Sequence, residues 1–315
     1  MIPKTILCPT DFSILSKQTL RYAAAFTSTH DARMTVMSVS DNFFGVDPDS
    51  TLYTSSMRTF ISDLATLRDE IRSLRQVNVS SYHCLGNPAT EICNHASKEH
   101  FDLIVIGSHG RTGFKKLLLG SVAETVIKKS ATNVLVVKPS TNSDSSPTTH
   151  FTPAEPKNSP VVVPYDFSDG CDYAVEYASK LFSDETPIIA LNIAESLDLP
   201  DESPDKKRLR EKDVFEEDRD EFRNRMPLSS DDRISFRTHF SNDIAKRIAS
   251  YCEQVDAKMV VISSRQKSLL ERIILGSTAR SVARIVHCPA LIVKDLDPAA
   301  KNMPDDLTTD MHRTI

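Results

Sequence analysis

Four of the chain's eight glycines, Gly107, Gly110, Gly113 and Gly120, fall within one short stretch that also carries Ser108, His109, Arg111, Lys115 and Lys116. Glycines let main chain approach a ligand closely, and basic side chains offset negative charge. A helix starting just beyond such a loop points unpaired N–H groups and the positive end of its dipole into it. Those ingredients make an anion site, of the kind that holds phosphate. The flanking residues agree with this reading. Before the loop, Leu103-Ile104-Val105-Ile106 is the continuous apolar run of a parallel strand buried on both faces. After it, from Gly120-Ser121, the residues Val122, Ala123, Val126 and Ile127 recur at helical spacing.

The elements that must hold this loop alternate along the chain. Residues 5–8 form a short strand that ends at Pro9-Thr10-Asp11-Phe12-Ser13, where helix-starting residues cluster. A helix with Leu15, Thr19, Tyr22, Ala23 and Phe26 follows, then a strand over 33–39. Met57, Phe60, Ile61, Leu64, Leu67, Ile71 and Leu74 mark a long amphipathic helix. A strand over 77–84 runs into Gly86-Asn87-Pro88, with the proline placed for a first helical turn. After the glycine loop and its helix comes a last strand, Val134–Val137. Strands alternating with helices predict right-handed crossovers and a parallel sheet.

The pattern then recurs. Residues 6–13 (ILCPTDFS) return as 161–168 (VVVPYDFS), and residues 103–138 align with 259–294 without a gap. The repeat is one whole domain long. We therefore expect a first domain at 1–140, a Ser/Thr/Pro-rich linker at 141–159, a second domain at 160–296 and a polar tail at 297–315. The copies differ at the loop: Ser263, Gln266 and Leu269 stand where the first copy has Gly107, Gly110 and Gly113, while Gly120-Ser121 recurs as Gly276-Ser277. The second copy's long helix, at about 203–226, is dense in charge. It carries a thin stripe of Leu209, Phe215, Phe222 and Met226, the pattern of a solvated helix laced with ion pairs.

Composition bounds the partners. A net charge of −5 over 315 residues supplies no global field to attract nucleic acid or an anionic membrane. No apolar run approaches the ~20 residues that span a bilayer. The N-terminus has no secretory pattern, and six cysteines without a CxxC or paired metal spacing act as small hydrophobes, so a cytoplasmic location is expected. No Gly-x4-Gly-Lys-Ser/Thr run, Gly-x-Ser-x-Gly elbow or acid/base carboxylate pair occurs, so fast enzymatic chemistry is not indicated.

Pro9-Thr10-Asp11-x-Ser13 at the end of the first strand, with Gly107-x2-Gly110-x9-Gly120-Ser121 after a buried strand, resembles the universal stress proteins, and both halves share the likeness. The resemblance implies an α/β fold of two tandem open parallel five-stranded sheets, each ordered 3-2-1-4-5 with helices on both faces, packed as an intramolecular pseudo-dimer. Pairing of the apolar edge strands 134–137 and 290–293 would bring Val136 and Ile292 into the interface. A homodimer is a further possible arrangement, and the protein partner is left unnamed.

The resemblance also implies ATP, with Mg²⁺, held by the first domain. Pro9, Thr10 and Asp11 would hold the ribose and adenine edge, with Val39 against the adenine. Ile106, Gly107, His109 and Gly110 would line the phosphate loop, and Gly120, Ser121 and Val122 would donate to the phosphates. The implied function is a stress-response regulator or sensor. Alternatives are a scaffold that binds no nucleotide and a slow ATP hydrolase or autophosphorylating protein. Plainer roles compete for single residues: Asp11 as a helix cap, Ser121 with Glu124 as a capping box, and His109 as a loop hydrogen-bonder.

Overall fold

Ten strands and eight helices alternate among the residues that the computed structural model describes, namely 2–40, 51–75, 77–108, 119–138, 159–196, 203–226, 231–264 and 276–294. The N-terminal half runs β1 (Thr5–Thr10), α1 (Ile14–Thr29), β2 (Arg33–Ser40), α2 (Thr51–Arg75), β3 (Asn78–Leu85), α3 (Pro88–Lys98), β4 (Leu103–Gly107), α4 (Ser121–Lys129) and β5 (Asn133–Val137). The C-terminal half repeats it with β6 (Val161–Pro164), α5 (Asp169–Leu181), β7 (Ile188–Ala194), α6 (Pro204–Arg225), β8 (Ile234–Phe240), α7 (Ile244–Gln254), β9 (Met259–Ser264), α8 (Ser277–Ile285) and β10 (Ala290–Lys294). Most of the interdomain stretch, and the tail from residue 295, lie outside the described residues.

Helix starts follow the local chemistry. Ser13 accepts from the Ser16 N–H at the head of α1, and Asn87 accepts from Thr90 ahead of Pro88 in α3. Each such cap satisfies a donor that the helix itself leaves unpaired.

Strand order is β3-β2-β1-β4-β5-β10-β9-β6-β7-β8 in one continuous sheet. Each half keeps the expected 3-2-1-4-5 order, but the expectation of two separate five-stranded sheets is corrected: there is one ten-stranded sheet. The reason is edge chemistry. β5 and β10 are apolar edges with unpaired backbone groups, and they satisfy each other as an antiparallel pair, Ala290 opposite Val136 and Ile292 opposite Val134. All other pairings are parallel. Val136 and Ile292 are fully buried, and both apolar layers run through the seam, one containing Leu135 and Leu291, the other Val134, Val136, Ala290 and Ile292.

Two lysines fasten this seam reciprocally. Lys138, just after β5, donates from Nζ to the carbonyls of Ala283 (2.6 Å) and Arg284 (3.0 Å) in the last turn of α8. Lys294, at the end of β10, donates from Nζ to the Ile127 carbonyl in the last turn of α4 at 2.7 Å. Each half thus caps the C-terminal end of the other half's last helix, where carbonyls lack intrahelical partners and positive charge is favoured. Burial pushes both lysines down to about 8 from the usual 10.5. His30 adds a third tie across the halves, its Nε2 lying 3.1 Å from the Leu181 carbonyl.

Candidate functional site

The C-terminal ends of β1, β2 and β4 and the N-terminus of α4 converge on one side of the sheet, the edge where open α/β sheets take ligands. Pro9 and Thr10 close β1, Asp11 follows directly, Val39 lies near the end of β2, and Ile106 and Gly107 close β4. Gly120 caps α4, with Ser121 and Val122 as its first residues. Helix and strand are tied together: the Gly120 N–H donates to the Ser108 carbonyl at 2.8 Å, and the Ser108 N–H donates to Val137 at 2.9 Å. The expected residues His109 and Gly110 lie outside the described residues.

Three local details refine the individual roles. The capping box expected of Ser121 and Glu124 is not formed, because the cap is Gly120 and no side chain bonds the first turn of α4. The cap residue therefore offers the helix's leading N–H groups no side-chain acceptor, which suits an anion. Asp11 does not cap α1, since Ser13 does; its Oδ1 accepts from the Ser13 N–H at 3.0 Å and braces a turn. That turn needs bracing, because Phe12 between them sits at φ 62° in the left-handed region, which disfavours a β-carbon. The Thr10 hydroxyl is also committed, 3.0 Å from the Ser16 hydroxyl and accepting from the Phe12 N–H at 3.1 Å.

The C-terminal half builds the same corner. Phe167 has φ 60°, and Asp166 Oδ1 accepts from the N–H (3.3 Å) and the hydroxyl (2.5 Å) of Ser168 and from the Cys171 thiol (3.1 Å). Burial raises that thiol's pKa. Gly276 caps α8, again with no side-chain bond.

A strained turn after the first strand, a glycine-capped fourth helix and the 3-2-1-4-5 order thus appear twice. A profile of the universal stress protein family matches residues 3–138 and again residues 157–294. The chain belongs to the universal stress protein family. Universal stress protein MJ0577 of Methanocaldococcus jannaschii is 33% identical over 153 residues, covering 43% of this chain and 94% of that protein. MJ0531 of the same organism is 35% identical over 145 residues, covering 43% of this chain and 82% of that one. At the level of fold, the chain is similar to a solved universal stress protein from Archaeoglobus fulgidus, with TM-score 0.63 and 22% identity over 92% of this chain and 98% of the other.

Between the two universal stress protein copies the largest side-chain change at the corner is Thr10 to Tyr165. The structure packs the tyrosine ring into the core. Val161, Val163 and Tyr165 share the face covered by α5 and α6, where the ring packs edge-on against Phe167 and Phe222, 2% exposed. Its hydroxyl donates to Asp172, which Arg225 of α6 also binds at 2.8 Å while reaching Asp169 at 2.9 Å. Burial, then the bond to Asp172, raise the tyrosine's pKa. Sequence reasoning missed this cluster, although the period-two alternation of β6 already puts residue 165 on the helix face. Tyr165→Phe is expected to lower stability by about 1.5–2 kcal/mol, as for a bond to a charged group, with the crevice unchanged; urea unfolding measures it.

Proposed function

We propose that the protein is an ATP-binding regulator or sensor of the stress response, acting in the cytoplasm, with one nucleotide held by the N-terminal half. One observation carries this reading: Asp11, Val39, Gly107 and the glycine-capped start of α4 lie at one corner of the sheet. The Asp11 carboxylate is placed to accept from ribose hydroxyls. Val39 offers an apolar surface to a base, and the Ser121 and Val122 N–H groups donate to phosphate oxygens. Gly107 leaves space by lacking a side chain; it is an ordinary strand residue paired with Val137. In this reading Mg²⁺ rides on the phosphates; among the described residues no group of three His, Cys, Asp or Glu is placed to hold a metal. No helix among them is long and apolar enough to cross a membrane.

Adenine nucleotide released from the purified, denatured chain, with a calorimetric stoichiometry near one, tests the proposal. Asp11 supplies a sharper test. Asp11→Ala removes both the turn brace and the ribose acceptor, so stability falls by about 1 kcal/mol and affinity by about 10- to 150-fold. Asp11→Asn keeps an oxygen for the Ser13 N–H and loses the charge. Its stability is expected to stay near wild type while its affinity drops at least ten-fold. An affinity unchanged in both variants removes the ribose role.

A further inference from the structure

The outermost strand of the C-terminal half, β8, carries a cluster of basic side chains. Along β8, Phe236 stacks on Phe222 of α6, so the alternation of a strand turns its neighbours Arg237 and His239 toward α7. There Arg247, near the start of α7, donates from Nη2 to His239 Nδ1 at 2.5 Å. Tyr251, one turn further along α7, places its ring centroid 4.9 Å from that of the imidazole. Arg237 is exposed and fastens its Nη1 to the Phe236 carbonyl at 2.8 Å. None of these four side chains lines the cavity where β6, β7 and β9 end.

The cluster holds like charges together without a counter-ion. Arg225 and Arg233 each bind a carboxylate, but among the described residues neither Arg237 nor Arg247 does. Asp243, one turn before Arg247, is taken by Lys246 at 2.8 Å. The buried Nε of Arg247 meets no acceptor among the described residues either. Both guanidinium groups act on the same imidazole and the same phenol, so they also repel one another. A cation near the start of a helix runs against the dipole as well. An anion seated between the arginines would offset all three costs. The first copy has no such cluster: at the offset that places residue 103 on 259, its residues are Ser81, His83 and Glu91. The two arginines are thus particular to the second copy and are no part of the crevice that both copies share.

Charge and donor geometry select the anion. A guanidinium has donors only, so His239 Nδ1 accepts and the neutral ring carries its proton on Nε2. Burial, then Arg247 and Arg237, lower this histidine below its usual range, which keeps it neutral at pH 7.5. The cluster therefore presents two positive charges and one neutral N–H donor. A phosphate group is close to a dianion at this pH, and the forks of two guanidinium groups match its oxygens. A carboxylate supplies half that charge.

We propose that Arg237, His239 and Arg247 form a binding site for a dianionic phosphate group at the outer edge of the C-terminal half. The site does not rest on the nucleotide reading of the N-terminal half.

The C2 proton of His239 reports occupancy by NMR on the full chain, its signal assigned by its loss in His239→Asn. Inorganic phosphate and glycerol 3-phosphate are titrated separately at pH 7.5 and constant ionic strength. Each is expected to shift the His239 signal saturably, and the one that saturates at lower concentration identifies the source, free ion or ester. Acetate should act at least ten-fold more weakly. Arg237→Gln and Arg247→Gln should each weaken the response at least ten-fold. A thermal melt checks their fold, and the exposed position of Arg237 leaves the core packing alone. Lys246→Gln, which removes an exposed cation beside Arg247, should leave the response unchanged. Three results overturn the proposal: no saturable shift with either phosphate, an undiminished shift in a folded Arg237→Gln or Arg247→Gln chain, or a loss with Lys246→Gln as large as with Arg237→Gln. Because the readout is the His239 ring, a chain that binds no ATP at all leaves this test intact.

Discussion

Lys294→Glu is expected to lower the unfolding free energy by about 3–5 kcal/mol, the range for leaving a buried charge uncompensated. The side chain is 2% exposed, and its Nζ donates at 2.7 Å to the Ile127 carbonyl in the last turn of α4. A glutamate there offers no donor and sets negative charge against the negative end of the helix dipole. Lys294→Met loses the hydrogen bond but also the cost of burying an ammonium, so its loss at pH 7 is about 1 kcal/mol. The pH profile separates these contributions. Burial lowers this lysine from 10.5 to about 8; Cys93 is the thiol facing it, and Lys129 acts on that thiol as well. The folded state therefore binds the proton less tightly than the unfolded state. That cost is fully present below pH 8 and is relieved as pH rises from about 8 to 10.5. The relief is on the order of 3 kcal/mol at about 1.36 kcal/mol per unit. Wild-type protein should gain that much over Lys294→Met across the window. Absolute stability need not rise, because buried thiols such as Cys8 and Cys93, raised by burial, pull both proteins the other way. Urea unfolding at pH 7.5 and pH 10 measures the difference. Equal midpoints for wild type and Lys294→Glu at pH 7.5 would show that the halves do not close over this lysine.

That clasp was not legible in the sequence, and the reason is physical. Val-Val-Lys138 and Ile-Val-Lys294 read as apolar strands ending in a solvated lysine, because nothing local to either run supplies an acceptor. The acceptors are carbonyls of helices 145 and 167 residues away, in the other half. The pairing of β5 with β10 was legible, since short apolar edges lack partners within their own half. It also made the two expected sheets into one. The positions of the candidate site residues at strand ends were legible, but the local bonds of single residues less so. Asp11 looked like the α1 cap until Ser13 took that position, and the Ser121–Glu124 spacing mimicked a capping box that Gly120 pre-empts. The stripe on α6 held for Phe222 and Met226, which are buried. Leu209 is 60% exposed, as a solvated helix allows.

Gly120→Trp is expected to weaken ATP binding by 100-fold or more, whereas Gly276→Trp leaves it at the wild-type value with one nucleotide per chain. Both glycines cap a helix in extended geometry, φ −63° at Gly120 and φ −55° at Gly276, which any residue adopts without strain. Neither substitution should therefore unfold its half, and the contrast isolates the ligand. In the proposed reading glycine at 120 leaves space for phosphate at the start of α4, and an indole takes that space. A hundred-fold loss is about 2.7 kcal/mol, a third of the ~8 kcal/mol that a micromolar ligand brings, so one blocked phosphate contact suffices. The C-terminal half should be silent toward ATP for steric reasons. Ser263 carries a hydroxyl, 3.4 Å from the Cys171 thiol, where Gly107 carries nothing, and Gln266 and Leu269 add side chains to the loop sequence. The Tyr165 ring is packed among Phe167 and Phe222. Titration calorimetry on the matched pair decides the matter. Two equivalent sites in the wild-type chain, or binding that survives Gly120→Trp and is lost with Gly276→Trp, would place the nucleotide in the C-terminal half.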